Sequence, residues 1–227
     1  MIYMLHGAAG STTDWDEFVP LLEVNEVSQF DLYTNEISGL DSFANSLNAI
    51  ASKGDVLIGY SMGGRLALHA LLDEGSKWSK AVIISAHTGL IDVAEKENRL
   101  RSDKSWAQLV MNDWGEFVDK WMDQPVFGGG AKPWNRECSV APVEMVQRCF
   151  TCWSLGRQRN LLAELESVSI PVLWISGEDD KKYSDIARAA VSRIPHADLA
   201  IIPGSGHRCP WEKPELTAAV IRGFLSP

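Results

Sequence analysis

Residues 59–63 read Gly-Tyr-Ser-Met-Gly and place one serine, Ser61, in the pattern G-x-S-x-G. The run Asp-Val-Leu-Ile at 55–58 predicts a strand before this motif, and the spacing of apolar residues at 64–71 predicts a helix after it. Glycines on both sides let the strand and the helix approach closely, so that the turn presents the hydroxyl at the start of the helix. This context favours a reactive serine over one that only caps the helix.

A reactive serine needs a base, and the base needs a carboxylate that holds its tautomer and stabilises its cation. His207 follows a glycine in the loop after the last predicted strand, and three acids lie in the loop after the strand before it. The order along the chain, serine then acid then histidine, makes His207 the best base. Asp180 is the preferred acid, with Asp179 second and Glu178 third.

The residues directly after the first predicted strand suit the same chemistry. They read His-Gly-Ala-Ala-Gly at 6–10, and their small side chains leave amide N–H groups exposed. We expect the amides of Ala8 and Met62 to form an oxyanion hole, with both directed at negative charge that develops on a substrate oxygen. The pattern alone is more often only a turn, and its position after the strand gives it meaning.

The four other histidines have weaker claims to a chemical role. Packing or solvent accounts for His6 in the loop after the first strand, His69 within a predicted helix and His196 beside a proline turn. His87 is retained as a candidate substrate-binding residue because it follows the end of a predicted strand.

The elements that must position these residues alternate along the chain. Short β-branched or apolar runs alternate with longer helical patterns, which predicts an α/β fold with a mostly parallel central sheet flanked by helices. The predicted strands cover 2–5, 31–34, 56–59, 81–85, 172–176 and 199–202, and the predicted helices cover 40–51, 63–72, 184–193 and 214–224.

The alternation stops between residues 87 and 165, where no strand is predicted. This segment is expected to form several helices, and it is rich in tryptophan: Trp106, Trp114, Trp121, Trp134 and Trp153. Such an insertion most simply forms a helical cap over the carboxyl ends of the strands, where α/β sheets bind ligands. We therefore expect a core of residues 1–86 and 166–227, with the cap at 87–165 inserted after the strand that ends near residue 86.

Composition narrows the classes of partner. The 227 residues include 21 basic and 30 acidic side chains, and the net charge of −9 disfavours binding to nucleic acid or to an anionic membrane surface. Residues 88–160 carry ten acids and ten bases, so an anion site should draw on that segment. The apolar runs are far shorter than the roughly 18 residues that span a bilayer. No export signal is recognised at 1–6, and a cytoplasmic location is expected, while the oligomeric state is left open.

The cysteines and the other metal-binding residue types do not indicate a cofactor. Cys149 and Cys152 have the spacing of half a zinc site or of a redox pair, but no second Cys or His pair stands at ligand spacing. We expect them to be reduced thiols near one helix face. No metal or organic cofactor is expected.

These residues together identify a family resemblance. The dipeptide at 6–7, the G-x-S-x-G motif, Asp180 and His207 resemble the α/β-hydrolase family over the length of the chain. Two stretches of the predicted cap, Arg-Ser-Asp-x-x-Trp-Ala at 101–107 and Gln-Pro-Val-Phe at 124–127, are similar to a narrower group. This group comprises the 2-succinyl-6-hydroxy-2,4-cyclohexadiene-1-carboxylate (SHCHC) synthases of menaquinone biosynthesis.

The resemblance implies a carbon–oxygen lyase that removes a proton next to a carbonyl and expels pyruvate from a small anionic polycarboxylate, with no acyl-enzyme. It implies a triad of Ser61, Asp180 and His207. The residues that it implies for the substrate pocket are Tyr60, Arg65, Arg99, Trp121 and Arg148. The stretch after Arg148 is shorter than is usual in the group, so Arg157 or Arg159 could take its place.

Charge and helix geometry agree with this implication for one arginine in particular. Arg65 lies four residues after Ser61, which is about one helical turn, near a helix N-terminus that itself favours a carboxylate. For each arginine the alternative is an ordinary cation on the surface, and Arg101 is expected to be of this kind.

The same triad also fits a carboxylesterase or thioesterase with Ser61 as nucleophile. A binding module without catalysis is a third alternative, which an intact triad disfavours.

Overall fold

The computed structural model describes residues 1–33, 39–127 and 143–226. Within these residues six strands form one sheet, in which every neighbouring pair is parallel. The strands are β1 (Ile2–Leu5), β2 (Val27–Phe30), β3 (Val56–Tyr60), β4 (Lys80–Ile84), β5 (Val172–Gly177) and β6 (Ala197–Ile202). Their spatial order is β2-β1-β3-β4-β5-β6. The order reverses at β1 and β3, and the crevice at such a switch point is where open α/β sheets bind ligands.

Helices flank the sheet and continue between β4 and β5. They are α1 (Leu40–Ile50), α2 (Met62–Leu72), α3 (Val93–Asn112), α4 (Trp114–Met122), α5 (Val143–Cys152), α6 (Lys181–Val191), the short α7 (Cys209–Glu212) and α8 (Pro214–Leu225). The predicted α/β architecture is therefore confirmed. No helix in the described ranges is both long and apolar enough to cross a bilayer.

The sheet buries both of its faces. In β3, Leu57 packs into the cluster that includes α1 and α2, whereas Ile58 packs into the cluster on the opposite face that includes α8. Both side chains are fully buried. Strands covered on both faces are apolar along their whole length, which explains why their short apolar runs could be recognised in the sequence.

The described part of the segment between β4 and β5 contains α3, α4 and α5 and no strand, as predicted. Asp92 and Asp113 cap α3 and α4, since each side chain accepts a hydrogen bond from the backbone N–H three residues later. An aromatic cluster joins the three helices: Trp106, Phe117, Trp121 and Phe150. Trp134 lies outside the described residues.

The predicted strand at 31–34 is wrong, because β2 is Val27–Phe30. The Asp31 carboxylate accepts the Tyr33 N–H at 2.9 Å, and the Leu32 N–H donates to the His6 ring at 3.3 Å. Side chains therefore take the backbone donors that a strand would use in its ladder, and a turn results. Residue 34 lies outside the described residues.

The expected reduced thiols are confirmed for the two cysteines of α5. Cys149 is buried and Cys152 is half-buried, and both are free, as is the buried Cys209. Burial raises the pKa of the Cys149 thiol well above its usual value. A thiol of this kind is inert and contributes to packing.

Candidate active site

The turn from β3 to α2 holds Ser61 in a strained conformation, with φ 52° and ψ −108°. Its N–H donates to the carbonyl of Ile84 at 2.8 Å, which fixes the turn against β4. A Cβ at Gly59 would lie 2.5 Å from the carbonyl oxygen of Gly63, so only glycine permits this strand–helix approach. Strain of this kind is typical of functional sites and presents the hydroxyl above the carboxyl end of the sheet.

The structure brings the three predicted triad residues together. Nε2 of His207 lies 3.1 Å from Oγ of Ser61, and Nδ1 of His207 lies 2.6 Å from Oδ2 of Asp180. The side chains of His207 and Asp180 are 4% and 8% exposed, so water competes little for these contacts. The hydroxyl, the imidazole and the carboxylate thus form one continuous hydrogen-bonded chain.

Asp180 is the only one of the three candidate acids placed on His207 by the described contacts. Its other oxygen accepts the Tyr183 N–H at 3.4 Å and caps α6, which orients the carboxylate. Asp179 is exposed, and Glu178 is exposed and accepts the Gly204 N–H at 3.1 Å. The contacts therefore place the preferred acid, Asp180, against His207.

The loop after β1 is shaped by a histidine that has no place in the triad. The His6 Nε2 accepts the Leu32 N–H, so its Nδ1–H donates to the Gly7 carbonyl at 2.9 Å. Ala9 adopts a positive φ of 54° in the same loop. Ala8 is half-exposed and lines a cavity of about 30 Å³ together with Tyr60 and Trp121. Met62 is the first residue of α2, where a helix leaves backbone N–H groups without partners inside the helix.

Aromatic rings surround the imidazole of His207. The ring centroids of Tyr183, Tyr60 and Phe127 lie 4.4, 5.6 and 6.2 Å from that of His207. Burial raises the pKa of both tyrosine hydroxyls, so both stay protonated at neutral pH. The family resemblance implied Tyr60 for the pocket, whereas Tyr183 and Phe127 were not predicted there. The position of Tyr183 three residues after Asp180, at the start of a predicted helix, was a usable signal.

Arg65 is buried and makes its hydrogen bonds to neutral groups. Nη2 donates to the carbonyl of Trp153 at 2.7 Å, and Nη1 donates to Oε1 of Gln158 at 3.0 Å. Burial lowers the pKa of the guanidinium to about 10, with a further contribution from the charge of Arg99, and the group remains protonated at neutral pH. No carboxylate among the described residues accepts a hydrogen bond from it. A buried cation without such a partner is costly and typical of a site for an anion.

Arg99 extends from α3 toward the same region. Its Nε donates to Oδ1 of the buried Asp103 at 2.8 Å, and Oδ2 of Asp103 accepts the Ser154 hydroxyl at 2.6 Å. The charges of Arg99 and Arg65 oppose the rise in the pKa of Tyr183 that burial causes, so both act on the ring beside His207. The structure therefore brings Arg65 and Arg99 together near the triad.

The remaining arginines differ in their surroundings. Arg148 is half-buried on α5 beside Cys149, and the contacts described do not place it in the pocket. Of its two alternatives, Arg157 is exposed, and Arg159 pairs with Asp41 and Glu164 on the surface.

A further arginine, Arg101, is exposed on α3. It bonds Asn98 and pairs with Glu97, in agreement with the expected surface role.

His87 is buried three residues after the end of β4, and its ring centroid lies 6.2 Å from that of Tyr183. Burial, followed by the charges of Lys182, Arg65 and Arg99, lowers its pKa to about 4, so the imidazole is neutral at pH 7. Its Nδ1 accepts the Gly89 N–H at 3.0 Å, which leaves the proton on Nε2. His87 and Arg99 line a cleft of about 730 Å³ between α3 and α6.

Two further residues of the site were not predicted from the sequence. Gln158 is fully buried and contacts both Arg65 and the carbonyl of His87. Glu212 accepts the N–H groups on either side of His207, from Gly206 at 2.5 Å and from Arg208 at 3.0 Å. Gln158 acts over a long sequence separation, and Glu212 acts through backbone N–H groups. Residue types and spacing alone do not reveal either kind of contact.

The other histidines have the roles expected of packing or solvent-exposed residues. His69 bonds Asp41 at 2.7 Å, and burial lowers its pKa, while His196 is exposed. Among the described residues no group of three or more His, Cys, Asp or Glu could hold a metal ion.

A parallel sheet with a strained serine at a strand–helix turn, and with a histidine and an acid from the loops after the last two strands, defines an enzyme of the α/β-hydrolase fold class. The chain matches the model of the alpha/beta hydrolase family over residues 2–220, and it belongs to this family.

Named relatives narrow the comparison. The 2-succinyl-6-hydroxy-2,4-cyclohexadiene-1-carboxylate synthase of Serratia proteamaculans (strain 568) is 31% identical over 181 residues, which cover 74% of this chain and 67% of the relative. A protein of Bacillus subtilis (strain 168), provisionally named as the same synthase, is 27% identical over 252 residues that cover 99% of this chain and 90% of the relative.

Solved structures support the fold. MenH from S. aureus superposes with a TM-score of 0.87 at 21% identity and covers 99% of this chain and 92% of its own. An esterase from Thermogutta terrifontis superposes with a TM-score of 0.77 at 21% identity, covering 99% and 88%. Since enzymes of different activity share this architecture, the fold alone does not choose between them.

Proposed function

We propose that this chain is a carbon–oxygen lyase of menaquinone biosynthesis. It eliminates pyruvate from 2-succinyl-5-enolpyruvyl-6-hydroxy-3-cyclohexene-1-carboxylate and yields SHCHC. The similarity to synthases named for this product supports the proposal. The observation that carries it is the buried guanidinium of Arg65, whose hydrogen-bond acceptors among the described residues are all neutral and which lies one helical turn from the triad serine. A polycarboxylate substrate supplies the negative charge that this cation lacks.

In the proposed mechanism Ser61 is a base and forms no bond to carbon. Nε2 of His207 accepts the hydroxyl proton, and Asp180 stabilises the resulting imidazolium through its contact with Nδ1. The serine oxygen takes the proton from the ring carbon next to the succinyl carbonyl. The released electron pair moves through the ring double bond and breaks the C–O bond to the enolpyruvyl group, which takes up a proton and leaves as pyruvate.

The surrounding residues have assigned roles in this proposal. The amides of Ala8 and Met62 stabilise the enolate oxygen, which carries more charge in the transition state than in the substrate. Tyr60 and Trp121, which both line a small cavity with Ala8, form apolar walls of the proposed pocket.

Three arginines and one histidine supply the polar contacts of the proposed pocket. Arg65, Arg99 and Arg148 bind substrate carboxylates, and the neutral His87 donates a hydrogen bond from Nε2. Residues 87–165 act as a cap that excludes water from the reaction.

A coupled assay tests the proposal. The purified protein is incubated with the enolpyruvyl substrate, and the pyruvate released is reduced by lactate dehydrogenase with NADH. We expect one pyruvate per SHCHC formed, and none above the rate without enzyme for Ser61→Ala. Absence of pyruvate release by the wild-type protein, with a burst of p-nitrophenol from an ester, would instead identify Ser61 as the nucleophile of an esterase.

A further inference from the structure

Gln158 joins the cation of the pocket to the backbone of the chain that leaves β4. Its amide is fully buried, Oε1 accepts from Nη1 of Arg65 at 3.0 Å, and Nε2 donates to the carbonyl of His87 at 3.0 Å. Both polar ends of the side chain are therefore used. The two partners also fix the orientation of the amide, because Arg65 offers only donors and the carbonyl only accepts.

The alternatives to glutamine at this position differ in charge. A glutamate would place a carboxylate on Arg65 and form a buried ion pair, which cancels the charge of the cation. It would also set an acceptor against the carbonyl of His87, where a donor is required. An apolar residue would leave both partners unsatisfied. Glutamine is the side chain that supports Arg65 without neutralising it.

The neighbouring acid does not cancel the charge either. Asp103 is the carboxylate whose field reaches Arg65, but its two oxygens are taken by Arg99 and by the hydroxyl of Ser154. Arg65, Arg99 and Asp103 together therefore carry one net positive charge. The charge left unpaired is that of Arg65, whose side chain is buried, and screening by salt is weak there.

We propose that Gln158 is a positioning residue that determines specificity: it holds Arg65 in place and leaves its charge free for a carboxylate of the substrate. The inference rests on the proposed function, since it assigns the group that Arg65 binds. A purely structural role, in which Gln158 only ties two segments together, predicts that any substitution does similar damage. If Gln158 instead preserves the positive charge of Arg65, a negative charge at position 158 should weaken binding of an anion much more than loss of the amide does.

Two variants separate these roles. Gln158→Glu adds the negative charge, and Gln158→Met keeps the side-chain length but removes the acceptor and the donor. Gln108→Glu is the matched control, because it makes the same change at an exposed position of α3. For each protein, kcat and KM for pyruvate release are measured, together with the Kd of the dianion succinate by calorimetry. Circular dichroism checks that each variant is folded.

We expect Gln158→Glu to raise KM and the succinate Kd about 10- to 100-fold, with a smaller change in kcat. Gln158→Met should raise both by about 2- to 10-fold, the effect of one lost hydrogen bond. Gln108→Glu should match the wild type. Equal losses in the two Gln158 variants would overturn the proposal. If Gln158→Glu does not fold, Gln158→Met still tests it, because a rise in the succinate Kd well above about 10-fold in this variant would also overturn the proposal.

The two readouts separate this inference from the proposed function. If the wild type releases no pyruvate but the succinate Kd still separates the two Gln158 variants, the lyase assignment fails and the role of Gln158 stands. If the wild type does not bind succinate, the inference about Gln158 is overturned.

Discussion

Two groups of polar side chains lie beyond the carboxyl ends of the strands, and they are held in different ways. In the triad, Ser61, His207 and Asp180 satisfy one another through contacts of 3.1 and 2.6 Å. In the arginine cluster, defined as Arg65 and Arg99, one positive charge has no carboxylate of its own among the described residues. The complete hydrogen-bonded chain of the triad sets the reactivity of the serine. The arginine cluster keeps a positive charge that a bound anionic ligand neutralises.

The triad and the arginine cluster also differ in the contacts that position them. Local turns set the triad: a strained turn for Ser61, a helix cap for Asp180 and the backbone contacts of Glu212 around His207. Long-range contacts set the arginine cluster, since Arg65 on α2 bonds Trp153 and Gln158 about 90 residues later. The triad should therefore tolerate changes in the segment between β4 and β5 better than the arginine cluster does.

The largest effect is expected from the triad. Ser61→Ala removes the atom that takes the substrate proton, and kcat for pyruvate release should fall about 10,000-fold or more. His207→Ala should lose a similar amount, and the double variant should lose no more than either alone, because the residues act as a unit. Additive losses in single-turnover measurements would contradict a linked triad.

The neutral state of the buried His87 makes the stability of the folded protein depend on pH. The pKa of His87 in the folded protein, about 4, lies below the ordinary value of 6.5, so the unfolded chain binds the extra proton between these pH values. The free energy of unfolding should therefore fall as pH decreases from 6.5 to 4, and this group should contribute roughly 2–3 kcal/mol of that fall.

His87→Asn is the variant that isolates this contribution, since Asn keeps an acceptor for the Gly89 N–H. Urea unfolding at pH 7 and at pH 4.5 should show a smaller loss of stability in the variant than in the wild type. Identical pH profiles would show that His87 is not buried in its neutral form.

The smallest effect is expected from the support of the triad. Glu212→Gln replaces one carboxylate oxygen with a donor that opposes an N–H next to His207, and kcat should fall roughly 10-fold. KM should hardly change, because Glu212 contacts no substrate group in the proposed site. Glu215→Gln, an exposed change on α8, is the control and should match the wild type. A change confined to KM would argue against a role in holding His207.

Much of the fold and the triad could be predicted from the sequence, for physical reasons. The central strands β3 and β5 are buried on both faces, and Ser61 follows β3 directly while Asp180 lies in the loop after β5. His207 lies in the loop after β6. The strand placed at 31–34 was misjudged because Asp31 and His6 take its backbone donors, a contact between distant residues. Gln158 was missed for the same reason, since it meets Arg65 only in the folded chain.

Proton transfer is assigned to the triad and binding of substrate carboxylates to the arginine cluster, and Arg65→Ala tests this assignment most directly. The measurement compares kcat/KM for pyruvate release from the anionic substrate with kcat/KM for hydrolysis of the neutral ester p-nitrophenyl acetate, a side reaction in which the same serine attacks the ester carbonyl. Because only the first needs the guanidinium, its value should fall about 100-fold or more while ester hydrolysis changes less than about threefold. Equal losses on both substrates would contradict the account.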